Sequence, residues 1–433
     1  MVHLRKKKSF TFFLWSLIFT FILTATYFPG NSVQAASYPN DKGANMGASP
    51  KIGSDTLIGD LDGNGKDEII YYDSATLKWM VESTENSPHI QQISYTPNFG
   101  NLNGKQYWVG NFTGYGRDAI FLNWNSRWYI GTWYGQLGSG NNISWKSISD
   151  TSWMGNLNDG RPFWIGDYNG DKKDDILFYS PTDRNWTMGT YKYDEDLMMY
   201  RLSWSTVGNT QTDYGYGQVY DGRPFWTGDF NGDKKDDILF YYPGNCNWHL
   251  GTFNGTKFTW ITAGNTQTDY GYGQVYDGRP FWKGDFNGDG KDDILFYYPG
   301  NGNWHFGTFN GTKFTWNTAG NTNGFGQVYD GRPFWTGDFN GYGGDDILFH
   351  FPADRGDGSF WIGVFNGNQL SWTLTGYDYH GRQFGMTYYN NWRGDFNGDG
   401  SDDLLYDFDT IRDYHLLFTF NQNIKTSFGY YYQ

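Results

Sequence analysis

The sequence is poor in cysteine and in basic residues, and each shortage excludes a class of protein. Its 433 residues include one cysteine, Cys246. A single cysteine forms no intramolecular disulfide, so cross-links do not stabilise this fold. The 32 lysines and arginines are outnumbered by 46 aspartates and glutamates, which gives a net charge of −14. Because phosphate binding needs clustered positive charge, this balance argues against nucleic acid and anionic lipid as partners.

Sustained helical periodicity is also lacking, and glycine and aromatic residues take the place of the usual helix formers. The chain has 60 glycines, and aromatic residues make up 21% of it. Aromatic side chains favour strands, and glycine favours turns. The composition therefore predicts an all-β protein with many turns.

Long apolar runs are confined to the N-terminus. Four basic residues at 5–8 precede an apolar run over 10–27 and a small-x-small cleavage motif, Val33-Gln34-Ala35. This order is typical of a secretory signal peptide, so we expect residues 1–35 to be removed and the protein to be secreted, free of the membrane after cleavage. An uncleaved anchor is the alternative, since the 18 residues of the run can just span a bilayer. Residues 36–53 are interpreted as an N-terminal lead.

A short acidic, glycine-rich loop runs directly into an apolar strand seven times. The most regular copy is GDFNGDGKDDILF at 284–296. Successive loops start 51 to 62 residues apart, and a period of this length indicates repeated supersecondary units. The loops start at Asp60, Asn111, Asp167, Asp229, Asp285, Asp338 and Asp395.

Each repeat has material for four strands. In one repeat the strands are predicted at 279–284, 293–298, 303–309 and 312–318, with an Asn-Gly hairpin turn before the last. Four antiparallel strands repeated radially describe the blade of a β-propeller, whose blades bury one another's faces. The sequence therefore predicts a seven-bladed β-propeller over residues 54–433, with the acidic loop between the first and second strands of each blade. Large in-strand aromatics are expected in the core between blades, as with Trp226, Phe240, Trp248 and Trp260.

The acidic loops place oxygen-bearing side chains at positions 1, 3, 5 and 9, where they can converge on one cation. They hold no histidine or sulfur, which disfavours zinc, copper and iron. Mg²⁺ demands a strict octahedron and retains water, so a wrapped loop suits Ca²⁺ better. An EF-hand is excluded, because position 12 counted from Asp285 is Phe296 rather than a glutamate.

The pattern predicts about five calcium sites of unequal completeness. The complete ligand sets are Asp60, Asp62, Asn64 and Glu68; Asp167, Asn169, Asp171 and Asp175; Asp229, Asn231, Asp233 and Asp237; Asp285, Asn287, Asp289 and Asp293; and Asp395, Asn397, Asp399 and Asp403. The Asp338 loop has Tyr342 at position 5 and is expected to bind weakly or not at all. The Asn111 loop has Thr113, Tyr115 and Ala119 at the other ligand positions and is expected to hold no ion. The alternative is that the loops are only Asx-rich turns.

The repeat, above all residues 284–295, resembles the FG-GAP/VCBS repeat. The resemblance extends over about residues 54–433. It implies the seven-bladed, calcium-bearing propeller of integrin α-subunit heads and of a group of secreted lectin-like propellers. Because one fold hosts adhesion heads, lectins and lyase scaffolds, the resemblance is specific for fold and cation rather than for function.

A partner is expected to bind on the face opposite the calcium loops, where inter-blade loops combine tyrosine with amides and acids. Two of these loops, 209–222 and 265–278, are almost identical, and 321–331 is a shorter copy. Aromatic faces and amide groups together favour carbohydrate. The candidate ligand-binding residues are Tyr214, Tyr216, Trp248, His249, Tyr270, Tyr272, Trp304 and His305. The alternative is that these tyrosines only fill grooves between blades.

Arginine recurs in an Asp-Gly-Arg-Pro motif before each of four first strands. The residues are Arg161, Arg223, Arg279 and Arg332. Their guanidinium groups either bind an anionic glycan or pair with local acids and fix the turn, and the sequence favours local pairing.

Three functions are therefore considered. The first is a secreted carbohydrate-binding propeller with several equivalent sites, whose combined avidity offsets weak individual binding. The second is an adhesion propeller that binds a protein. The third is a polysaccharide lyase or hydrolase, which the near-identical repeats disfavour because catalysis needs one asymmetric group of residues. No catalytic residues are predicted.

Overall fold

A computed structural model describes most of the repeat region. The described residues are 57–73, 75–83, 90–95, 106–135, 142–154, 157, 161–322, 324, 328, 332–351, 358–377, 391–407, 414–420 and 426–432. All of them belong to one compact unit, residues 33–433. The predicted signal peptide and N-terminal lead lie outside the described residues.

In this part of the chain, 28 strands form seven sheets of four antiparallel strands each. In every sheet the four strands are consecutive in sequence and pair in order. This is the strand order of propeller blades. The predicted all-β, seven-bladed architecture is thereby confirmed.

The first four blades contain strands β1 to β16. Blade 1 is β1 (Leu57–Gly59), β2 (Glu68–Asp73), β3 (Lys78–Glu82) and β4 (Ile90–Tyr95). Blade 2 is β5 (Gln106–Gly110), β6 (Ala119–Trp124), β7 (Arg127–Thr132) and β8 (Ser144–Asp150). Blade 3 is β9 (Phe163–Gly166), β10 (Asp175–Ser180), β11 (Asn185–Asp194) and β12 (Met199–Asn209). Blade 4 is β13 (Phe225–Gly228), β14 (Asp237–Tyr242), β15 (Asn247–Phe253) and β16 (Phe258–Asn265).

The last three blades contain strands β17 to β28. Blade 5 is β17 (Phe281–Gly284), β18 (Asp293–Tyr298), β19 (Asn303–Phe309) and β20 (Phe314–Asn321). Blade 6 is β21 (Phe334–Gly337), β22 (Asp346–Phe351), β23 (Ser359–Asn366) and β24 (Gln369–Tyr377). Blade 7 is β25 (Asn391–Gly394), β26 (Asp403–Asp407), β27 (Tyr414–Phe420) and β28 (Thr426–Tyr432).

Aromatic side chains fill the space between neighbouring blades. Trp248 of β15 is fully buried, and its ring centroid lies 5.3 Å from that of Trp226 in the same blade. It also lies 5.4 Å from Trp316 in blade 5. The same arrangement recurs around Trp186 and Trp304. Because each large ring contacts both blades, the predicted inter-blade aromatic core is confirmed.

A β-bulge accompanies this tryptophan. The register between the third and fourth strands shifts immediately after Trp248 and Trp304, and corresponding shifts occur in blades 1, 2, 3 and 6. A bulge bends the strand and redirects its side chains. Nothing in the sequence pattern had indicated it.

Blade 7 packs against blade 1 without exchanging a strand. Ile58 and Ile69 of blade 1 form one buried apolar cluster with Trp392, Phe396 and Leu405 of blade 7. In the described sheets, each blade is completed by its own four strands. The sequence had left this junction open, and face-to-face packing closes it.

No described helix is both long and apolar enough to cross a bilayer.

Candidate metal centres and ligand-binding face

Each acidic loop curls around the side chain at position 1, which is an aspartate in six blades and Asn111 in blade 2. In blade 4, Asp229 Oδ1 accepts hydrogen bonds from the backbone N–H groups of Gly232 (2.6 Å) and Asp233 (3.1 Å). Its Oδ2 accepts one from the N–H of Lys234 (2.8 Å). Gly232 has a φ of 81°, a left-handed conformation that favours glycine. The loop is therefore folded by its own first residue, as Asx turns are.

The carboxylate at position 9 is buried at the start of the second strand. Asp237 is fully buried, and burial together with nearby Asp233 and Asp229 raises its pKa to about 9. The pKa of Glu68 rises to about 9 and that of Asp403 to about 9 for the same reasons, burial first and neighbouring carboxylates second. A cluster of carboxylates in a desolvated site favours a positive charge beside it.

The donor set fits a calcium ion. Among the described residues, Glu68 Oε1, Asp237 Oδ2 and Asp403 Oδ2 are buried oxygens with no hydrogen-bond partner. Single carboxylate oxygens of Asp60, Asp62 and Glu68 lie within 4.8 Å of one another. Hard oxygen ligands without nitrogen or sulfur are those Ca²⁺ prefers. The partnerless oxygens are where a metal-oxygen bond would form.

Two loops keep this backbone shape but lack ligands. In blade 6, Tyr342 at position 5 is exposed, while Asn340 Nδ2 donates to Asp346 Oδ1 at 2.7 Å. In blade 2, Asn111 Oδ1 still accepts from the N–H of Gly114 at 3.0 Å, but Tyr115 is exposed and Ala119 is buried. The loop shape therefore does not require the ligand residues.

Each loop is also linked to the next blade through an aspartate at position 8. Its Oδ2 accepts a hydrogen bond from the backbone N–H of position 1 in the preceding blade, over 2.6 to 3.1 Å. The backbone N–H of the position-8 aspartate donates to the carbonyl oxygen of that position-1 residue, over 2.8 to 3.1 Å. The seven pairs are Asp118–Asp60, Asp174–Asn111, Asp236–Asp167, Asp292–Asp229, Asp345–Asp285, Asp402–Asp338 and Asp67–Asp395. We call these pairs the aspartate links.

A glycine before position 1 makes room for each link. A Cβ added to Gly110 would lie 2.5 Å from Asp174 Oδ2, and one added to Gly394 would lie 2.7 Å from Asp67 Oδ2. The sequence analysis missed these residues. The signal was present, since this glycine and the position-8 aspartate occur in all seven repeats, including the degenerate blade 2 loop.

Four of the candidate ligand-binding residues lie in the core. Trp248 and Trp304 are fully buried between blades. His249 and His305 are 5% exposed, and burial, with a smaller contribution from Arg223 or Arg279, lowers the pKa of each to about 4. None of these rings presents a face to solvent, so we remove all four from the candidate ligand site. The alternation of side chains along the strand did not show which of these residues the rest of the propeller covers.

The four loop tyrosines are half-buried and join adjacent blades. The hydroxyl of Tyr270 donates to the carbonyl oxygen of Phe314 in the next blade at 3.0 Å, and Tyr214 donates likewise to Phe258. The ring of Tyr216 packs 4.7 Å from that of His249, and Tyr272 packs 4.6 Å from His305. Packing in the grooves between blades thus buries much of the surface of these tyrosines.

Exposed aromatics on the same face come instead from the ends of the second strands. Tyr242 is 38% exposed and Tyr298 is 37% exposed. The guanidinium of Arg223 lies 4.4 Å from the ring centroid of Tyr242 and donates to Asp221 at 2.7 Å. Arg279 makes the equivalent contacts with Tyr298 (4.3 Å) and Asp277 (2.9 Å). Local pairing of these arginines is therefore observed, and we call each such group of three residues a Tyr–Arg–Asp unit.

A second exposed cluster lies on the face of the acidic loops. The β11–β12 hairpin of blade 3 is longer than its counterparts, with strands of 10 and 11 residues against 7 and 8 in blade 4. The rings of Tyr191 and Tyr200 stack at 5.5 Å on this hairpin. The exposed members of what we call the tyrosine–methionine surface are Tyr115, Tyr134, Tyr193, Leu197, Met198, Met199 and Tyr200.

No family model and no curated protein match the chain. The FG-GAP/VCBS resemblance therefore stays a prediction from the loop motif.

Solved structures do match. A lectin of Agrocybe aegerita described as recognising non-reducing terminal N-acetylglucosamine is 17% identical, with a TM-score of 0.60, covering 87% of this chain and 89% of the lectin. The Dos1 propeller is 10% identical, with a TM-score of 0.39 over 83% of this chain and 78% of that one. At these identities the likeness to the lectin extends to fold alone: this chain is a seven-bladed β-propeller with a lectin among its structural neighbours.

Proposed function

We propose that the protein is a secreted, calcium-stabilised propeller that binds carbohydrate through the face opposite its acidic loops. The observation that carries the carbohydrate part is the repeated Tyr–Arg–Asp unit. Tyr242 and Tyr298 are exposed at equivalent positions, each beside an arginine and an acid. Aromatic faces pack on the C–H patches of sugars, while charged and amide groups bind hydroxyls.

Repetition supports the proposal further. The two units belong to adjacent blades 4 and 5, whose second strands and turns share one sequence pattern. Equivalent sites a blade apart suit a multivalent glycan, because avidity offsets weak single-site affinity. The Agrocybe aegerita lectin, described as recognising terminal N-acetylglucosamine, makes glycans with that terminus the first probes to use.

Calcium in the acidic loops would supply stability rather than a contact to sugar. The loops connect first and second strands, whereas the Tyr–Arg–Asp units lie at the other ends of the second strands. The residues that would hold the ions are those of the five complete loops. When bound, the ion would neutralise the carboxylates of these ligand sets, of which the one at position 9 is buried.

The carbohydrate proposal is tested on a glycan array with the secreted form of the chain. We expect binding to glycans with terminal N-acetylglucosamine or a related sugar, weakened by at least about tenfold in the Tyr242→Ala, Tyr298→Ala double variant. The matched control is Tyr193→Ala, which removes an exposed tyrosine (49%) on the opposite face. Binding that both variants leave unchanged, or no binding to any glycan, would contradict the proposal.

A protein partner is the second candidate, favoured by the tyrosine–methionine surface. Exposed tyrosine and methionine are enriched at protein interfaces. This surface belongs to blades 2 and 3 only, so it would bind one partner per chain. If it is the functional surface, binding to intact cells will persist in excess free sugar and be lost in Tyr200→Ala, while Tyr242→Ala has no effect.

A further inference from the structure

We propose that, where the preceding blade has a complete ligand set, the position-8 aspartate of an acidic loop positions the first calcium ligand of that blade. The inference rests on the calcium part of the proposed function. It gives a role in the metal site to residues that are not themselves in the predicted ligand sets.

The geometry is clearest between blades 3 and 4. Asp236 Oδ2 accepts a hydrogen bond from the N–H of Asp167 at 2.7 Å, and the N–H of Asp236 donates to the carbonyl oxygen of Asp167 at 2.9 Å. Both backbone groups of the first ligand are thus held by the neighbouring blade. The Asp167 side chain then has a fixed origin, from which Oδ1 and Oδ2 reach the N–H groups of its own loop.

Such a contact affects metal affinity because it fixes the first ligand in advance, so that less conformational freedom is lost when the ion binds. Outer-shell hydrogen bonds that orient ligands typically change metal affinity by about 10- to 100-fold. The bond here is charge-assisted, which makes it stronger than one between neutral groups. The aspartate links bind the backbone rather than the ion, so they are available before any metal arrives.

The degenerate loop of blade 2 provides a natural control. Asp174 Oδ2 accepts from the N–H of Asn111 at 2.6 Å, so the link is present where the ligands are missing. Asp174 and Asp236 share the same local sequence, Lys-Asp-Asp, and each precedes a position-9 ligand of a complete loop, Asp175 or Asp237. The two differ in whether the residue they hold is a calcium ligand.

The experiment compares Asp236→Ala with Asp174→Ala in the full chain. Calcium binding is measured by isothermal titration calorimetry, and the stability of the calcium-free protein is measured by thermal unfolding. We expect both variants to lower the melting temperature of the calcium-free protein by similar amounts. We expect only Asp236→Ala to weaken one calcium site, by about tenfold or more. Asp236→Asn, which keeps an acceptor oxygen, should recover part of that affinity.

The possible outcomes of this experiment separate failure of the calcium site from failure of the positioning role. If the wild-type chain takes up no calcium, the calcium part of the proposed function fails. If it takes up calcium but Asp236→Ala and Asp174→Ala bind with equal affinity and stoichiometry, the positioning role is overturned and the links are only structural. If Asp236→Ala does not fold, Asp236→Asn against Asp174→Asn gives the same comparison.

Discussion

The buried carboxylates are the residues whose chemistry would change most if an ion bound. Asp237 lies at the start of a central strand, with Asn231 Nδ2 donating to its Oδ1 at 3.0 Å and its Oδ2 lacking a partner among the described residues. Its pKa is raised to about 9, first by burial and then by Asp233 and Asp229. A raised carboxyl pKa means that the ionised form destabilises the folded state.

The Asp237→Asn variant should therefore stabilise the calcium-free protein. The folded-state pKa of about 9 exceeds the ordinary value of 3.8, so stability is greatest at low pH and is lost as the pH rises from about 4 towards 9. At pH 8 we expect the variant to gain at least about 1.4 kcal/mol, the value of one pKa unit, and at pH 4 to gain little. Denaturant unfolding in chelator at the two pH values measures this.

In excess calcium, the stability difference between Asp237→Asn and the wild type should have the opposite sign. The amide lacks the charge that binds the ion, so excess Ca²⁺ should stabilise the wild type more than Asp237→Asn. Equal stability of the two proteins at pH 8 in chelator would contradict the buried, ionisable state of this residue.

At the scale of single residues, the sequence predicts chemistry better than exposure. The acidic loops and the spacing of their oxygen-bearing side chains were predictable, because a loop encodes its turns locally, while calcium binding by them stays a prediction. The sequence placed Trp248 both in the inter-blade core and among the ligand candidates, and it did not show that His249 is covered, since the contacts that bury both residues come from other blades and loops and are absent from a local pattern. The exposure of Tyr242 was not predicted, because the preceding residue, Tyr241, is also a tyrosine and is buried, so residue type does not distinguish the two.

At the scale of the element, two kinds of contact join each blade to its neighbour. The inter-blade tryptophans fill the broad outer part of the junction, and the aspartate links hold the acidic loops together. The glycine before position 1 belongs to the second contact. Its lack of a side chain lets the carboxylate approach the backbone.

Gly110→Ala should break one aspartate link by steric overlap. The new Cβ would lie 2.5 Å from Asp174 Oδ2, closer than atoms pack, so strand or carboxylate must move. We expect a destabilisation of about 1–3 kcal/mol, as overpacking usually causes. Because blade 2 has no complete ligand set, calcium stoichiometry should not change.

The control for this variant is Gly324→Ala. No atom of the described residues lies within 4 Å of the added Cβ at this loop position. Chemical denaturation in calcium compares the two, and a Gly110→Ala protein as stable as Gly324→Ala would mean that the close approach is not maintained in solution.

Element boundaries were predicted closely where turns and acidic loops delimit them. In blade 5 the second and third strands have the predicted bounds of 293–298 and 303–309. The fourth strand was predicted at 312–318 and is found at Phe314–Asn321. The pairing of Phe309 with Phe314 sets the start of the strand, and the bulge after Trp304 moves its end one residue further. A bulge inserts one extra residue into one strand, and the sequence analysis did not predict it.

At the scale of the whole propeller, the described blades form a closed ring in which the junction of blades 7 and 1 has the same aspartate link as the others. Asp67 Oδ2 accepts from the N–H of Asp395 at 3.0 Å, and Asp118 Oδ2 accepts from that of Asp60 at 3.1 Å. The number of blades was predictable by counting repeats. The mode of closure was not, because it joins residues 328 positions apart.

Asp67→Ala and Asp118→Ala should therefore destabilise the protein equally. Each removes one charge-assisted hydrogen bond between blades, at a cost of about 1.5–3 kcal/mol. Each serves a complete loop in the preceding blade, but Asp67 precedes the predicted ligand Glu68 and Asp118 precedes Ala119, so the pair is matched only without calcium. Thermal unfolding in chelator measures both variants. A silent Asp67→Ala beside a destabilised Asp118→Ala would show that the junction opens in solution.

The aspartate links of blade 2 show that the scaffold and the ligand positions of the acidic loops can vary separately. Asn111 is held by Asp174 although its loop lacks acidic residues at positions 1, 5 and 9, and Asp118 holds Asp60 of blade 1 as its counterparts do elsewhere. A blade without a complete ligand set can thus keep its place in the circle as a spacer. Its loop contributes Tyr115 to the outer surface beside the elongated hairpin of blade 3. A single altered loop thereby gives a nearly uniform array one distinctive flank.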